Sequence, residues 1–270
     1  MTEPPDGLRR AARDRRYWSR IGQRWRARGP DRLWRAHSDA VNAPMLRRWL
    51  PPDGGLRALK TDLFDEAFGE GLLEPLAQRF STLVGIDLSE AVIEEGVRKC
   101  TGIAAVRCDV RALPFTDGAF GAVASISTLD HFRRAEDMVE ALAELRRALV
   151  PGGCLVLTLD NPANPVVGLR NRLPFRLVRA SGLVPYYVGV TAGPRRARAL
   201  LEEAGFDVLE VTALMHCPRV LAVPVCRWVD RFAPGARGAL LAFLGTFEGL
   251  GRWPTRFRTG HFVALRGVRR

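Results

Sequence analysis

A chain of 270 residues, 47% hydrophobic and 26% charged, can bury a large core and fits a single domain. No apolar run approaches the about 18 residues of a membrane-spanning helix, and Met1–Arg10 lacks the apolar stretch of a secretory signal. The net charge of +12 is carried almost wholly by arginine, with Lys60 and Lys99 the two lysines, so it reflects arginine-rich usage before it reflects any partner.

Residues 1–51 read as a basic helical arm, with thirteen arginines against five acidic residues and with Tyr17, Trp18, Trp25 and Trp34 interleaved. Such a segment either meets an anionic surface or packs its tryptophans on the rest of the protein. The surface would be lipid headgroups in a peripheral membrane contact, an anionic substrate or nucleic acid. No nucleic-acid-binding module is recognisable, which argues against that partner. Pro51-Pro52-Asp53-Gly54-Gly55 then punctuates the chain, and residues 52–270 read as one α/β domain.

Strand-length apolar runs at Leu56–Phe64, Ser81–Ile86, Ile103–Cys108, Ala119–Ile126 and Cys154–Leu159 alternate with helical segments. That is the pattern of a mainly parallel, doubly wound sheet. Ser89 is placed to cap the helix after the second run. Met138, Leu142, Leu145 and Leu149 form one apolar helical stripe, which Pro151-Gly152-Gly153 ends. A helix around Pro194–Ala204, a strand at Phe206–Leu214 and a last strand at His261–Val268 complete seven strands. The stretch at about 215–260, punctuated by Pro218, Pro224, Pro234 and Pro254, reads as a helical insertion over an active-site mouth. Five scattered cysteines and four isolated histidines show no metal-ligand spacing, so no metal is expected. The unpaired thiols fit a reducing, cytoplasmic setting.

Asp62, Asp87 and Asp109 stand at the ends of the first three strand runs. In an open parallel sheet, ligands bind beyond the carboxyl ends of the strands, where three carboxylates in register can accept from the hydroxyls and amines of one ligand. Four segments follow in order: Val84-Gly85-Ile86-Asp87-Leu88-Ser89, the loop Cys108–Phe115, Phe120-Gly121-Ala122-Val123, and the run Leu145–Gly153. Together they resemble the class I S-adenosylmethionine-dependent methyltransferases, particularly the small-molecule enzymes of type 11. The resemblance runs from about Leu56 to Leu159 and implies a Rossmann-like sheet with S-adenosyl-L-methionine as cofactor. It assigns Asp87 to the ribose hydroxyls and Asp109 to the adenine amino group. Leu88 and Val110 would adjoin the adenosine, and Ser127 the methionine end.

One departure stands out. The family's first loop, D-x-G-x-G-x-G, is replaced by the run Asp62–Gly71, in which Phe64, Glu66 and Phe68 fall near glycine positions. Gly69 and Gly71 are the places where the backbone could still approach the cofactor. Lys60 facing its carboxylate, with Asp62 or Glu66 facing its ammonium, would make an altered clamp; the other readings are a structural Lys60 that pairs internally with Asp62 or Glu66, and a decayed site. Asp160-Asn161-Pro162-Ala163-Asn164 has a superficial likeness to the motif of DNA adenine methyltransferases, but it follows the fifth strand and carries no aromatic to stack a flipped base. After the fourth strand, Asp130 and His131 are candidate general bases. Tyr186, Tyr187 and His216 are candidate walls for the methyl acceptor, read as a small, partly apolar metabolite or lipid precursor. The alternatives are a non-catalytic protein on the same fold and a nucleic-acid methyltransferase.

Overall fold

The apolar runs form seven strands: β1 (Arg57–Lys60), β2 (Thr82–Asp87), β3 (Ile103–Arg107), β4 (Phe120–Ile126), β5 (Leu149–Asp160), β6 (Phe206–Leu214) and β7 (Phe262–Arg269). They are seen in a computed structural model that describes residues 6–29, 31–52, 55, 57–180 and 186–270. The break at Asp53-Gly54 and the strand start at Leu56 lie outside the described residues. The sheet order is β3-β2-β1-β4-β5-β7-β6. Strand β7 runs antiparallel to β5 and β6, while the other pairs are parallel. The chain steps outward from β1 to β3 and then restarts beside β1 at β4. That reversal opens a crevice at the carboxyl ends of the central strands.

Helices cover both faces: α1 (Asp6–Arg28), α2 (Arg32–Trp49), α3 (Phe64–Phe68), α4 (Leu73–Ala77), α5 (Glu90–Lys99), α6 (Ala135–Ala148), α7 (Pro165–Arg172), α8 (Phe175–Ala180), α9 (Pro194–Glu203), α10 (Arg219–Phe232), α11 (Arg237–Thr246) and α12 (Arg256–Thr259). On one face, Met138, Leu142 and Leu145 of α6 pack with Leu200 and Leu201 of α9 against Leu59, Val123 and Leu155. On the other, Met45, Leu46 and Trp49 of α2 pack on Ala58, Ala122 and Val156. Helix α2 therefore builds the core, and the basic stretch before residue 51 is no appendage to it.

Two boundaries differ from the sequence reading. Leu149 does not end the helix: its extended backbone already pairs with Phe120, and Pro151-Gly152-Gly153 lie within β5 as an irregularity before Ala122 meets Cys154. Gly152 takes the left-handed φ of +77° that this bulge requires. The segment 215–260 forms α10, α11, α12 and two short 3-10 turns. Its helices α10 and α11 pack on α2, and only Met215 and Arg219 of this segment line the cleft.

Candidate active site

The carboxyl ends of β1 to β4 open into a cleft of about 1290 Å³, its mouth included. Asp87 ends β2 inside it. Its Oδ1 accepts from the Ser89 amide at 2.7 Å and its Oδ2 from the Leu63 amide at 3.3 Å. Burial, opposed by the Ser89 amide and reinforced by Asp62, pushes Asp87 up to about 7. The Ser89 carbonyl starts α5, but its hydroxyl makes no capping bond. That Oγ is buried without a partner on the cleft wall. Gly22 of α1 packs directly over it, where a Cβ would collide.

Asp62 lies two residues beyond β1, beside a hydroxyl relay. The Thr128 hydroxyl donates to its Oδ2 at 2.8 Å, and Thr61 bonds to Thr128 and to Ser125. The Phe64 amide donates to Asp62 Oδ1.

Lys60 does not face the cleft, which corrects its assignment to the cofactor carboxylate. Its side chain is 1% exposed, and Nζ pairs with Glu66 at 2.9 Å, Asp62 at 3.4 Å and Asp65 at 3.6 Å. These carboxylates outweigh burial and hold the ammonium well above its ordinary pKa. From α2, Arg35 pairs with Asp65 at 2.9 Å, and Asp39 Oδ2 accepts the amides of Glu70 and Gly71. The loop has thus become helix α3, held by two buried cations and four carboxylates. Gly69 and Gly71 serve this network and do not line the cleft. A Cβ at Gly69 would lie 2.9 Å from Asp39 Oδ2, and Gly71 needs a φ of +88°. Asp62, Phe64 and Asp65 of this region remain on the wall, joined by Arg35.

Asp109, Val110 and Leu88 line the other end. Both Asp109 oxygens accept from Arg111, at 3.0 and 2.6 Å. The same guanidinium reaches Asp14 of α1 at 3.1 Å and Asp137 of α6 at 3.0 Å. It lies 5.0 Å from the centre of the Phe132 ring. Arg111, which the sequence reading passed over, ties the arm to the strand ends. Arg147 does related work: it donates to the carbonyls of Leu113 and Phe115 and so fixes the loop that carries Asp109.

After β4, Ser127 holds a left-handed φ of +50°, a strain that side chains rarely adopt without cause. Its amide donates to Thr158 Oγ1 and its hydroxyl to Asp130. Asp130 is fully buried, does not line the cleft and also accepts the Asp160 amide. Burial pushes it up to about 6. It sits behind the wall, which corrects the expectation that its carboxylate meets an acceptor as general base. His131 does line the cleft. Its Nδ1 lies 3.0 Å from the Tyr187 carbonyl and Nε2 3.9 Å from Asp130. Its ring packs on Trp18 and Tyr186. The Tyr187 amide donates to the hydroxyl of Tyr17, so α1 clamps this segment over the mouth. Of the expected acceptor walls, Tyr186 lines the cleft. Tyr187 does not, and His216 is buried against Thr259 and the Ala213 carbonyl. Trp25 packs on Phe64 and Phe68, so the arm's aromatic side chains turn inward.

The rest of the cleft is a mostly apolar lobe of Trp34, Ile126, Met215 and Phe262, with Ser38, Asn42 and Arg219. Arg219 donates to Nε2 of His261 at 3.0 Å, and burial pushes that imidazole down to about 3 and keeps it neutral. The Asp160 run builds a turn: Asp160 pairs with Arg170 at 2.6 Å, and Asn164 caps α7. Among the described residues, no cluster of His, Cys, Asp or Glu is placed to hold a metal ion.

Comparison with known proteins bears on the family and the fold. A family model described as a methyltransferase domain matches residues 66–157. The chain is 34% identical to the demethylmenaquinone methyltransferase of Beutenbergia cavernae, over 70% of this chain and 72% of that one. It is 32% identical to a ubiquinone/menaquinone biosynthesis C-methyltransferase of Hahella chejuensis, over 45% of this chain and 51% of that one. A solved S-adenosylmethionine dependent methyltransferase from Mesorhizobium loti is similar at a TM-score of 0.55 and 21% identity, covering 84% of this chain and 96% of that one. Geranyl diphosphate methyltransferase in complex with GPP and sinefungin gives 0.56 and 17%, covering 86% and 77%. At these identities the structural likeness is one of fold.

Proposed function

Because the chain belongs to the class I S-adenosylmethionine-dependent methyltransferases of the type 11 kind, we propose that it methylates a small, partly apolar acceptor such as a quinone-type lipid precursor. The observation that carries this reading is the two-part cleft: strand-end carboxylates at one end, and the lobe of Trp34, Ile126, Met215 and Phe262 at the other. The names of the quinone-pathway relatives support the acceptor class. An acceptor of that kind partitions into bilayers, so a peripheral membrane contact belongs to the same reading.

The residues fit the cofactor. Ser89 Oγ and Arg35 Nε are buried at the cleft without partners, and orphaned polar atoms of this kind call for a ligand. Asp87 would accept from the ribose hydroxyls and Asp109 from the adenine amino group. Arg35, in place of Lys60, would face the amino-acid carboxylate, and Asp62 the ammonium. When bound, S-adenosylmethionine supplies an electrophilic methyl group. The protein's part is to align the acceptor and take its proton. With Nδ1 of His131 donating to the Tyr187 carbonyl, Nε2 is the atom that accepts that proton. The resulting imidazolium is held beside the Asp130 carboxylate. Asp130 is a positioning residue in this scheme.

Incubation with isotopically labelled S-adenosylmethionine and a demethylated naphthoquinol tests the reading. Label is expected in the quinol, and His131→Gln should lower kcat by roughly 10²–10⁴-fold. Label appearing in added RNA or DNA instead would overturn the acceptor class. Tight cofactor binding with transfer to none of these acceptors would favour the non-catalytic alternative.

Arg35 has its own test. Arg35→Lys, which keeps a cation beside Asp65 but removes the unpartnered Nε–H, is expected to weaken S-adenosylmethionine about 10-fold or more, as for a lost charged hydrogen bond, while methylthioadenosine, which lacks the amino-acid portion, binds nearly unchanged. Equal loss for both ligands, measured by calorimetry, would remove Arg35 from the cofactor site.

A further inference from the structure

Helix α10 is apolar on two sides. Ala222, Cys226 and Val229 are buried against the cluster that contains Leu33 and Trp34 of α2. A second set, Leu221, Val225, Trp228 and Phe232, is 65, 44, 58 and 66% exposed. Their 4-3-4 spacing confines them to an arc of about 60° on the helix surface, so they form one continuous stripe. Trp228 and Phe232 touch within it, and the Arg231 guanidinium lies 5.5 Å from the centre of the Phe232 ring. The same insertion also exposes Phe243 and Trp253. Soluble surfaces rarely expose so many large apolar side chains without a partner.

Charge selects the partner. From Arg219 to Arg258 there are seven arginines against two acidic residues, Asp230 and Glu248. Both acids are engaged: Asp230 accepts the Leu33 amide and pairs with Arg237, and Glu248 accepts the amides of Met215 and His216. A tryptophan- and phenylalanine-bearing stripe amid excess arginine matches the boundary of an anionic lipid layer, where aromatic rings sit at headgroup depth and cations meet phosphates. We propose that this face of α10 docks the protein onto an anionic bilayer. The first turn of the same helix carries Arg219 into the cleft wall, with Leu221 of the docking face about 3 Å further along the axis. Residues two apart lie about 200° apart around a helix, so docking sets the acceptor lobe about one helix width, roughly 10 Å, behind the lipid surface. The docking itself stands on the exposed stripe and its charge, whether or not the acceptor is a lipid precursor.

Co-sedimentation of the full chain with sucrose-loaded vesicles tests this. Vesicles of phosphatidylcholine with one third phosphatidylglycerol are compared with phosphatidylcholine alone. Strong binding to the first and roughly tenfold weaker binding to the second is expected. Binding should fall further in 1 M salt, where screening shortens to about 3 Å. The variant Trp228→Ser/Phe232→Ser should bind at least tenfold less while keeping its melting temperature and cofactor affinity. Leu209→Ser, at an exposed apolar site on β6, should bind as the unaltered chain does. Equal binding to the two vesicle types, or an unaltered double variant, would overturn the proposal. So would a dimer in light scattering that the double variant dissociates, since a second copy would then cover the stripe.

Discussion

Lys60→Met is expected to lower the stability of the protein by about 3–5 kcal/mol, the usual cost of breaking a buried ion pair on one side. For a domain of this size that is a fall of roughly 6–20 °C in melting temperature. The reason lies in what remains after the substitution. Glu66 is fully buried, and Asp65 and Asp62 are only 11 and 17% exposed, all within 3.6 Å of the lost ammonium. Burial and its neighbouring carboxylates already raise Glu66, and Lys60 is the main influence holding it down. Without the ammonium, Glu66 must take up a proton or draw water into α3, and its bond to the Leu72 amide at 2.9 Å is put at risk. Lys60→Met/Glu66→Met should recover part of the loss, because exchanging both members of a buried pair for apolar groups removes the uncompensated charge. Binding of S-adenosylmethionine and methylthioadenosine should weaken alike, because a displaced α3 carries off the Leu63 amide that holds Asp87, the ribose carboxylate both ligands share. A Lys60→Met protein of ordinary stability that loses only S-adenosylmethionine would show the ammonium to be a direct cofactor ligand after all.

That prediction follows the structural one of the two roles the sequence left open to Lys60, and the reason the sequence left both open is physical. Asp87, Asp109 and the α6 stripe were legible because each rests on local pattern: a strand run ending in a carboxylate, or apolar residues at helical spacing. The surroundings of Lys60 are not local. Arg35 and Asp39 reach α3 from α2, across the boundary that Pro51 and Pro52 suggested, and no periodicity within Asp62–Gly71 reveals them. The same holds for Arg111, whose three carboxylate partners come from α1, α6 and its own loop. The arm offered two readings of its tryptophans. Trp18 on His131 and Trp34 in the cleft wall decide for inward packing, leaving the exposed aromatic surface on α10. Asp130 and His131 are adjacent in sequence, yet the short turn at Leu129–His131 sends one carboxylate inward and one imidazole to the cleft.

Asp87 carries the largest expected effect on ligand binding. A ribose clamp of two hydrogen bonds to a carboxylate is worth about 1.5–3 kcal/mol per bond, so Asp87→Ala should weaken S-adenosylmethionine by roughly 100-fold or more. Asp207→Ala, at an exposed position on β6, should leave it unchanged. The pH dependence is the sharper test. Burial pushes Asp87 up to about 7 in the ligand-free protein, whereas ribose hydroxyls donate best to the ionised form. The ligand must therefore lower this pKa, and binding must release a proton whenever the free carboxyl is still protonated. The sign follows: affinity rises with pH up to about 7, by as much as tenfold per unit, and flattens above it. Titration calorimetry near pH 6 in two buffers of different ionisation enthalpy should detect the released proton. Asp87→Asn should abolish both the release and the slope, which separates this carboxyl from Asp39 and Asp130, also raised by burial. Proton uptake on binding, or a slope that survives in Asp87→Asn, would place the ribose elsewhere in the cleft.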